Sequence, residues 1–242
     1  MIRIAIIGEG EKTEKRIIDN LQKNFPFRNN IEFVSFKADI YQLWQQLKND
    51  PDLDLIVLLR EKNQKALRNL TSKDFSEIFL FFDFDSHALM GGHYNKDLNT
   101  VFTELLAMFN DSTELGQLYI SYPMVESLWS VYELSCKKTC DDCICTEETY
   151  AEKYKGAVKE NSIINKNIDK FTKNEWDRII RHFAQKTCCL FDAEKYDTQA
   201  FTQEQTYKKQ YQKYYKPKKS IMTLSAFHFF LFYYFGQKLY KP

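Results

Sequence analysis

Carboxylate side chains follow short apolar runs at three points in the sequence. Glu9 follows the mostly apolar run of residues 2–7, with Gly8 between them. Asp83 and Asp85 end a second apolar run, and Glu126 follows a third. Carboxylate oxygens are ligands that Mg²⁺ prefers in proteins, and residues two apart on a strand point to the same side. Because open α/β sheets place their chemistry at the carboxyl ends of strands, these acids predict a divalent-metal site.

The residues around Glu9 predict a strand, a tight turn and a helix. Glu9 stands between Gly8 and Gly10, and a helical pattern of apolar residues begins at Thr13. Gly10 permits a close backbone approach in this turn. No third glycine follows at the spacing of a dinucleotide-binding loop, and a carboxylate in the turn would repel a pyrophosphate. We therefore exclude nucleotide binding by this motif.

The alternation of strand and helix patterns predicts an α/β domain with a parallel four-stranded sheet flanked by helices. The predicted strands are residues 2–7, 31–36, 78–83 and 118–121. The first predicted helix begins at residue 13. Further helices are predicted for residues 39–47, 52–70 and 98–109, and a short one carries Glu126. Residues 52–70 also start with a strand-like pattern, and we favour a helix there because parallel strands need a crossover.

Composition changes in the second half of the chain. We expect residues 1–135 to form the catalytic domain, 136–149 a Cys-rich connecting loop, and 150–242 a mainly helical region packed on the domain. Helical spacing is clearest for four apolar residues, Trp176, Ile179, Ile180 and Phe183. The strongly aromatic residues 221–240 predict a buried helix, because a helix that is apolar all round is covered on most sides.

Three motifs occur in the order that is typical of one protein family. Residues 9–14 read EGEKTE, residues 83–85 form an Asp-x-Asp, and Ser121-Tyr122-Pro123 precedes Glu126 and Trp129. In these motifs the chain resembles the TOPRIM domain of topoisomerases, primases and OLD-type nucleases. It resembles most closely the RloB and AbiL group of bacterial phage-defence proteins. The resemblance covers roughly residues 1–135, and this chain has one more residue between Glu126 and Trp129 than the family pattern.

The resemblance implies a TOPRIM-like, Rossmann-like fold and a Mg²⁺- or Mn²⁺-dependent endonuclease that cleaves DNA or RNA, tRNA included. It implies a toxic effector of an abortive-infection system that is paired with an AAA- or ABC-type ATPase. This chain has no GxxxxGK[ST] motif, so any ATP hydrolysis must come from elsewhere. The implied catalytic residues are Glu9, Asp83, Asp85 and Glu126. The first three of these would hold the metal, with Glu14 as a further ligand or as an acid that favours the helix N-terminus.

Two other functions stay open at this point. The chain could be a non-catalytic module that binds nucleic acid or a partner on the same scaffold, or a component of a topoisomerase or primase, for which it is short. The presence of Glu9, Asp83 and Asp85 together favours the nuclease. Any uncovered side of the aromatic C-terminal helix is expected to meet the ATPase or a second copy of the chain, which would make a homodimer.

Basic residues supply candidate contacts to nucleic acid. Lys12 and Arg16 near the first helix and His87 after the Asp-x-Asp motif are candidates for phosphate, although His87 also suits a solvent-facing loop. Residues 207–219 hold six lysines, four tyrosines and no acid. Lysines contact phosphates and tyrosines stack on unpaired bases, whereas the alternative is a solvated helix face. The candidate nucleic-acid-binding residues in this segment are Lys208, Lys209, Lys213 and Lys216.

Composition gives fewer constraints. The net charge of +1 carries no global signal for nucleic acid. Neither a signal peptide nor an apolar span of about 20 residues is evident, so we expect a cytoplasmic protein without a membrane contact. A cysteine cluster predicts either a Zn²⁺ site of crowded spacing or a reduced loop with free thiols. Its members are Cys136, Cys140, Cys143 and Cys145.

Overall fold

The computed structural model describes residues 3–63, 67–84, 86, 97–132, 144–146, 154–236 and 239. The predictions for Asp85, His87, Cys136, Cys140 and Cys143 fall outside the described residues. The chain divides into two compact units, Met1–Leu118 and Tyr119–Pro242. This division precedes the boundary at 136–149 that composition indicates.

The central sheet has five strands among the described residues, in the order β2-β1-β3-β5-β4. They are β1 (Arg3–Gly8), β2 (Asn30–Ser35), β3 (Glu77–Asp83), β4 (Asn110–Asp111) and β5 (Gly116–Ser121). Strand β1 is parallel to both β2 and β3, which confirms the α/β class and the mostly parallel sheet. The prediction of four strands was wrong, because the short strand β4 pairs antiparallel with β5 at the edge.

A glycine makes the approach of β5 to β3 sterically feasible. Gly116 adopts a φ of +109°, which residues with a side chain rarely adopt. A Cβ at this position would also lie only 2.4 Å from the Leu80 side chain. The tight turn between β4 and β5 therefore depends on this glycine.

Four α-helices accompany the strands of the first unit in its described part. They are α1 (Thr13–Asn24), α2 (Ile40–Asn49), α3 (Leu55–Lys62) and α4 (Leu98–Met108). Three of them begin with an aspartate whose side chain accepts a hydrogen bond from a backbone N–H of the first turn. These N-caps are Asp39, Asp54 and Asp97. Helix α3 confirms the helical interpretation for residues 55–62, whereas residues 67–70 form a turn and not the predicted end of the helix.

The second unit is mainly helical in its described residues. Its elements are a 3-10 helix (Val125–Trp129), β6 (Ile144–Thr146), α5 (Tyr154–Asn161), a second 3-10 helix (Ile168–Lys170), α6 (Lys173–Phe191), α7 (Gln203–Gln210), a π-helix (Tyr211–Tyr215), α8 (Lys216–Lys218), β7 (Ser220–Met222) and α9 (Ala226–Phe235). Strands β6 and β7 pair antiparallel. This pair corrects two predictions, since residues 144–146 were expected in a loop and residues 221–222 in a helix.

Two helices form the core of the second unit. On α6, Trp176, Ile179, Ile180 and Phe183 are all buried, which confirms their helical spacing. Helix α9 is buried from Ala226 to Phe232, whereas Tyr233 is 51% exposed. A partner on the exposed side of α9 stays a prediction. No helix in the described part of the chain is long and apolar enough to span a membrane.

Candidate functional site

Strands β1 and β3 bring Glu9 and Asp83 to the same edge of the sheet. The strands are parallel neighbours, with Gly8 opposite Phe81. The Glu9 backbone N–H donates to the Phe81 carbonyl at 3.3 Å, and the Asp83 N–H donates to Glu9 Oε2 at 3.4 Å. The Glu9 side chain therefore reaches across the end of β3, and two acids 74 residues apart become neighbours.

The two acids lie at the boundary between core and solvent. Residues 79–82 of β3 are buried, whereas Glu9 and Asp83 are half-buried. Carboxylates at such a position keep part of their hydration and interact with a cation more strongly than at an open surface. They present the oxygen donors that suit a hard divalent cation. Glu9 and Asp83 are therefore the acids of the predicted set that the structure brings together.

Glu14 supports the turn that carries Glu9. Its carboxylate is buried on the first turn of α1, and Oε1 accepts a hydrogen bond from the Gly10 N–H at 3.0 Å. A Cβ on Gly10 would lie 2.8 Å from Glu14 Oε2, so the glycine allows the carboxylate to approach the backbone. Glu14 therefore fixes the loop after β1, while its role as a metal ligand stays a prediction.

Three basic side chains lie in or near this loop. Lys12 is the N-cap residue of α1, and both Lys12 and Arg16 are exposed. Lys37 follows the end of β2 and pairs with Glu11, an interaction that lowers the pKa of the Glu11 carboxyl. Sequence analysis missed Lys37, although its position just after a strand next to β1 could have indicated it.

Glu126 lies in the second unit, on the 3-10 helix Val125–Trp129. The residue is only 6% exposed, and its Oε2 has no hydrogen-bond partner among the described residues. Two side chains of this helix bond to other segments: Ser127 Oγ donates to the Leu224 carbonyl at 2.9 Å, and Trp129 Nε1 donates to the Asn165 carbonyl at 3.1 Å. The prediction that this segment is a short helix carrying Glu126 is confirmed.

A buried lysine holds the end of this 3-10 helix. Lys186 on α6 is fully buried, and its Nζ donates to Ser130 O at 2.9 Å, Ser130 Oγ at 3.2 Å and Thr223 Oγ1 at 3.0 Å. His182 Nε2 lies 3.1 Å from the same Ser130 carbonyl. A cation at a helix C-terminus is favourable, and three hydrogen bonds offset part of the cost of burying it.

His228 on α9 belongs to the same buried region. Its Nδ1 lies 2.5 Å from the Ser225 carbonyl, which can only accept, so Nδ1 carries the proton and Nε2 faces Thr187 Oγ1 at 3.0 Å. Burial is the main cause that lowers the pKa of His228 to about 3; the Ser225 hydrogen bond opposes this shift, and the nearby Lys186 and His182 add to it. The ring is therefore neutral at physiological pH.

We expect the neutral His228 to make folding pH-dependent. The pKa of His228 is near 6.5 in the unfolded chain and about 3 in the folded protein, so the unfolded chain takes up the proton first as the pH falls. The contribution of His228 to the free energy of unfolding is therefore fully present above about pH 6.5 and is lost as the pH falls towards 3. Between about pH 7 and 5 this residue should lower the free energy of unfolding by roughly 2 kcal/mol. In reversible urea unfolding, the free energy of unfolding of His228→Asn should therefore decrease less over this pH range than that of the wild type, by the same amount. Equal pH slopes in both proteins would contradict the assignment.

The basic segment 207–219 is only partly available to a ligand. Tyr207 and Tyr215 are buried. The Tyr211 ring stacks on Tyr215 with 6.0 Å between centroids and lies tilted to Tyr207 at 5.9 Å. The expectation that all these tyrosines offer faces to bases is therefore wrong for the two buried ones. Lys213 pairs with Asp192 at 3.0 Å. The lysines that are exposed are Lys208, Lys213, Lys216, Lys218 and Lys219, and Lys209 is half-buried.

One cysteine of the predicted cluster lies in the described part of the chain. Cys145 is buried in β6, opposite Ile221 of β7. Burial raises the pKa of its thiol to about 12, so the thiol is protonated in the absence of a metal. The Zn²⁺ site stays a prediction, since its other three cysteines lie outside the described residues.

Within the described residues, no three His, Cys, Asp or Glu side chains form a group that could hold a metal ion. No protein-family model, no curated protein and no solved structure matches the chain. The resemblance to TOPRIM proteins therefore stays a hypothesis based on motifs. The structure is compatible with it at the level of a Rossmann-like, mostly parallel sheet that carries Glu9 and Asp83 at one edge.

Proposed function

We propose that this chain is a Mg²⁺- or Mn²⁺-dependent nuclease that hydrolyses phosphodiester bonds of nucleic acid. The observation that carries the proposal is the hydrogen bond from the Asp83 N–H to Glu9 Oε2, at 3.4 Å. It joins acids from two separate motifs at the carboxyl edge of the sheet, where α/β proteins bind ligands. Carboxylates that share one edge of a sheet repel each other, and a bound cation compensates that repulsion.

The side chains at this edge fit a hard divalent cation. Glu9 and Asp83 would hold it, and Asp85 would add a third carboxylate, as the resemblance implies. A bound Mg²⁺ supplies charge neutralisation at the scissile phosphate and lowers the pKa of a water nucleophile. The chain's own contribution is to fix Glu9 through the Gly10–Glu14 hydrogen bond and to place positive charge nearby.

The remaining assignments depend on the resemblance. Glu126, whose Oε2 has no hydrogen-bond partner among the described residues, would be a further catalytic residue. Glu9 would either complete the metal shell or act as general acid or base. Lys12 and Arg16 would bind phosphate. A defence role, an AAA- or ABC-type ATPase partner, a homodimer and a cytoplasmic location are proposals on the same basis.

Incubation with supercoiled plasmid DNA and, separately, with total tRNA tests this function. We expect cleavage of one substrate with Mg²⁺ or Mn²⁺ and none with EDTA. The substrate that is cleaved identifies the enzyme as a DNase or an RNase, and cleavage of both would show a nuclease that does not distinguish them. Binding of either nucleic acid without cleavage would support the non-catalytic module instead, and cleavage that persists in EDTA would exclude metal dependence.

The basic segment should contribute phosphate contacts to this function. Replacing Lys208, Lys209, Lys213 and Lys216 by Gln should weaken nucleic-acid binding. Each lost contact should lower the slope of log K against log[salt] by roughly 0.7–0.9. Lys213 should contribute least, because Asp192 already neutralises it. Fluorescence anisotropy over a salt series measures both quantities.

A matched control carries the same change in charge elsewhere on the second unit. Four exposed lysines outside the basic segment serve this purpose: Lys155, Lys166, Lys170 and Lys195. Their replacement by Gln should leave the salt slope unchanged. Equal slopes for both quadruple variants would show that the basic segment is a solvated helix face.

A further inference from the structure

Lys37 has a backbone conformation that is rare for its residue type. Its φ is +60°, in the left-handed region that glycine and asparagine adopt more easily than lysine. Such residues persist where the surrounding structure holds them, and they concentrate at functional sites. The position of Lys37, directly beyond β2 at the carboxyl edge of the sheet, raises the question of what its side chain does.

Two hydrogen bonds hold this conformation and tie it to Glu9. The Phe36 N–H donates to the Gly8 carbonyl at 2.8 Å, and the Lys37 N–H donates to the Glu9 carbonyl at 3.1 Å. They continue the β1–β2 ladder for two residues past the paired strands. The backbone of Lys37 is thus fixed against the residue that carries the first acid of the candidate site.

The side chain of Lys37 is held weakly. Its Nζ pairs with Glu11, and the two side chains are 45% and 55% exposed. Exposed ion pairs of this kind contribute little to stability and are screened by salt. Glu11 belongs to the same loop as Glu9, so the ammonium lies against the loop that carries the first acid of the candidate site. Because the pair is exposed, the ammonium can exchange its carboxylate partner for another anion.

We propose that Lys37 binds a phosphate oxygen of the nucleic-acid substrate beside Glu9 and Asp83. The inference rests on the proposed function and adds a substrate-binding residue to it. In the free protein the Lys37 ammonium pairs with the Glu11 carboxylate. When nucleic acid binds, a phosphate oxygen takes the place of that carboxylate. A lysine ammonium is a compact point charge with three donors, which suits this exchange.

Lys37→Asn separates the ligand role from a structural one, because asparagine removes the charge and tolerates the left-handed conformation. We expect an unchanged or higher melting temperature together with weaker binding. The probes are a fluorescein-labelled DNA duplex and an RNA hairpin, measured by anisotropy in Ca²⁺ without Mg²⁺ or Mn²⁺. On the probe that binds, the salt slope should fall by roughly 0.7–0.9, the value for one phosphate contact.

Glu11→Gln provides the opposite change. Without its carboxylate partner Lys37 is available, so binding should tighten, and the double variant Lys37→Asn/Glu11→Gln should bind no more tightly than Lys37→Asn. Lys73→Asn is the matched control, since this exposed lysine precedes β3 at the amino edge of the sheet. It should leave affinity and salt slope unchanged.

Each other outcome overturns the inference in a recognisable way. If the wild type binds a probe and Lys37→Asn keeps its affinity and slope, Lys37 has no phosphate contact and the proposed function is unaffected. If Lys37→Asn melts at a lower temperature and loses affinity equally at all salt concentrations, its role is structural. If the wild type binds neither probe, both this inference and the proposed nuclease fail.

Discussion

Asp83→Asn should remove both Mn²⁺ binding and metal-dependent cleavage. The amide keeps the size of the side chain and leaves the Asp83 N–H free to donate to Glu9 Oε2, so the strand ends stay joined. It removes one of the two charges that would compensate a divalent cation. Loss of residues that only orient metal ligands costs about 10–100-fold, so loss of a direct ligand should exceed about 100-fold in affinity and rate. Calorimetric titration with Mn²⁺ and a cleavage time course measure both.

Two further variants make this result interpretable. Glu9→Gln should have the same effect, because its amide oxygen still accepts from Asp83 but carries no charge. Asp52→Asn changes an exposed acid of the first unit before α3 and should behave like the wild type. If both Asp83→Asn and Glu9→Gln still bind Mn²⁺ like the wild type, the metal site is not at these residues, even if cleavage is lost.

The sequence was sufficient to predict the elements around Glu9 and Asp83. Both β1 and β3 are continuous apolar runs, which is the pattern of a strand buried on both faces. The acid after each run then had to lie at the carboxyl edge. Their proximity followed from topology, because neighbouring parallel strands end at the same edge.

Contacts between distant residues were beyond sequence reasoning. Strand β4 has two residues and β6 has three, too few for a periodic pattern, and β6 pairs with β7 about 76 residues later in register. The positive φ of Lys37 is set by hydrogen bonds to β1 and has no signature in residue type. The bond between Glu14 and Gly10 likewise depends on how the turn meets α1.

Buried polar residues show a different limit. Lys186 continues the apolar stripe of α6 three residues after Phe183, so its position predicts burial while its charge predicts exposure. The structure resolves this conflict through acceptors on Ser130 and Thr223, which come from other parts of the chain. Such partners cannot be identified before the fold is known, and the same holds for His228 and Thr187.

Helix α9 leads to the second large effect, which concerns stability. Phe230 is fully buried, and its ring lies edge-on to Tyr119 with 6.0 Å between centroids. Truncation of a buried phenylalanine to alanine removes its transfer free energy and leaves a cavity, at a cost of about 3–5 kcal/mol. In a protein of this size that corresponds to a fall in melting temperature on the order of 10 °C.

Tyr233→Ala is the matched control, since it truncates an aromatic residue of the same helix that is 51% exposed. Its free energy of unfolding should stay within about 0.5 kcal/mol of the wild type. Urea unfolding followed by circular dichroism compares the three proteins, and Phe230→Ala should show a lower midpoint with an unchanged m-value. If Phe230→Ala and Tyr233→Ala unfold at the same urea concentration, α9 does not pack in the core of the second unit. If Tyr233→Ala is the more destabilised of the two, the exposed side of α9 is covered in solution, as a partner on that side requires.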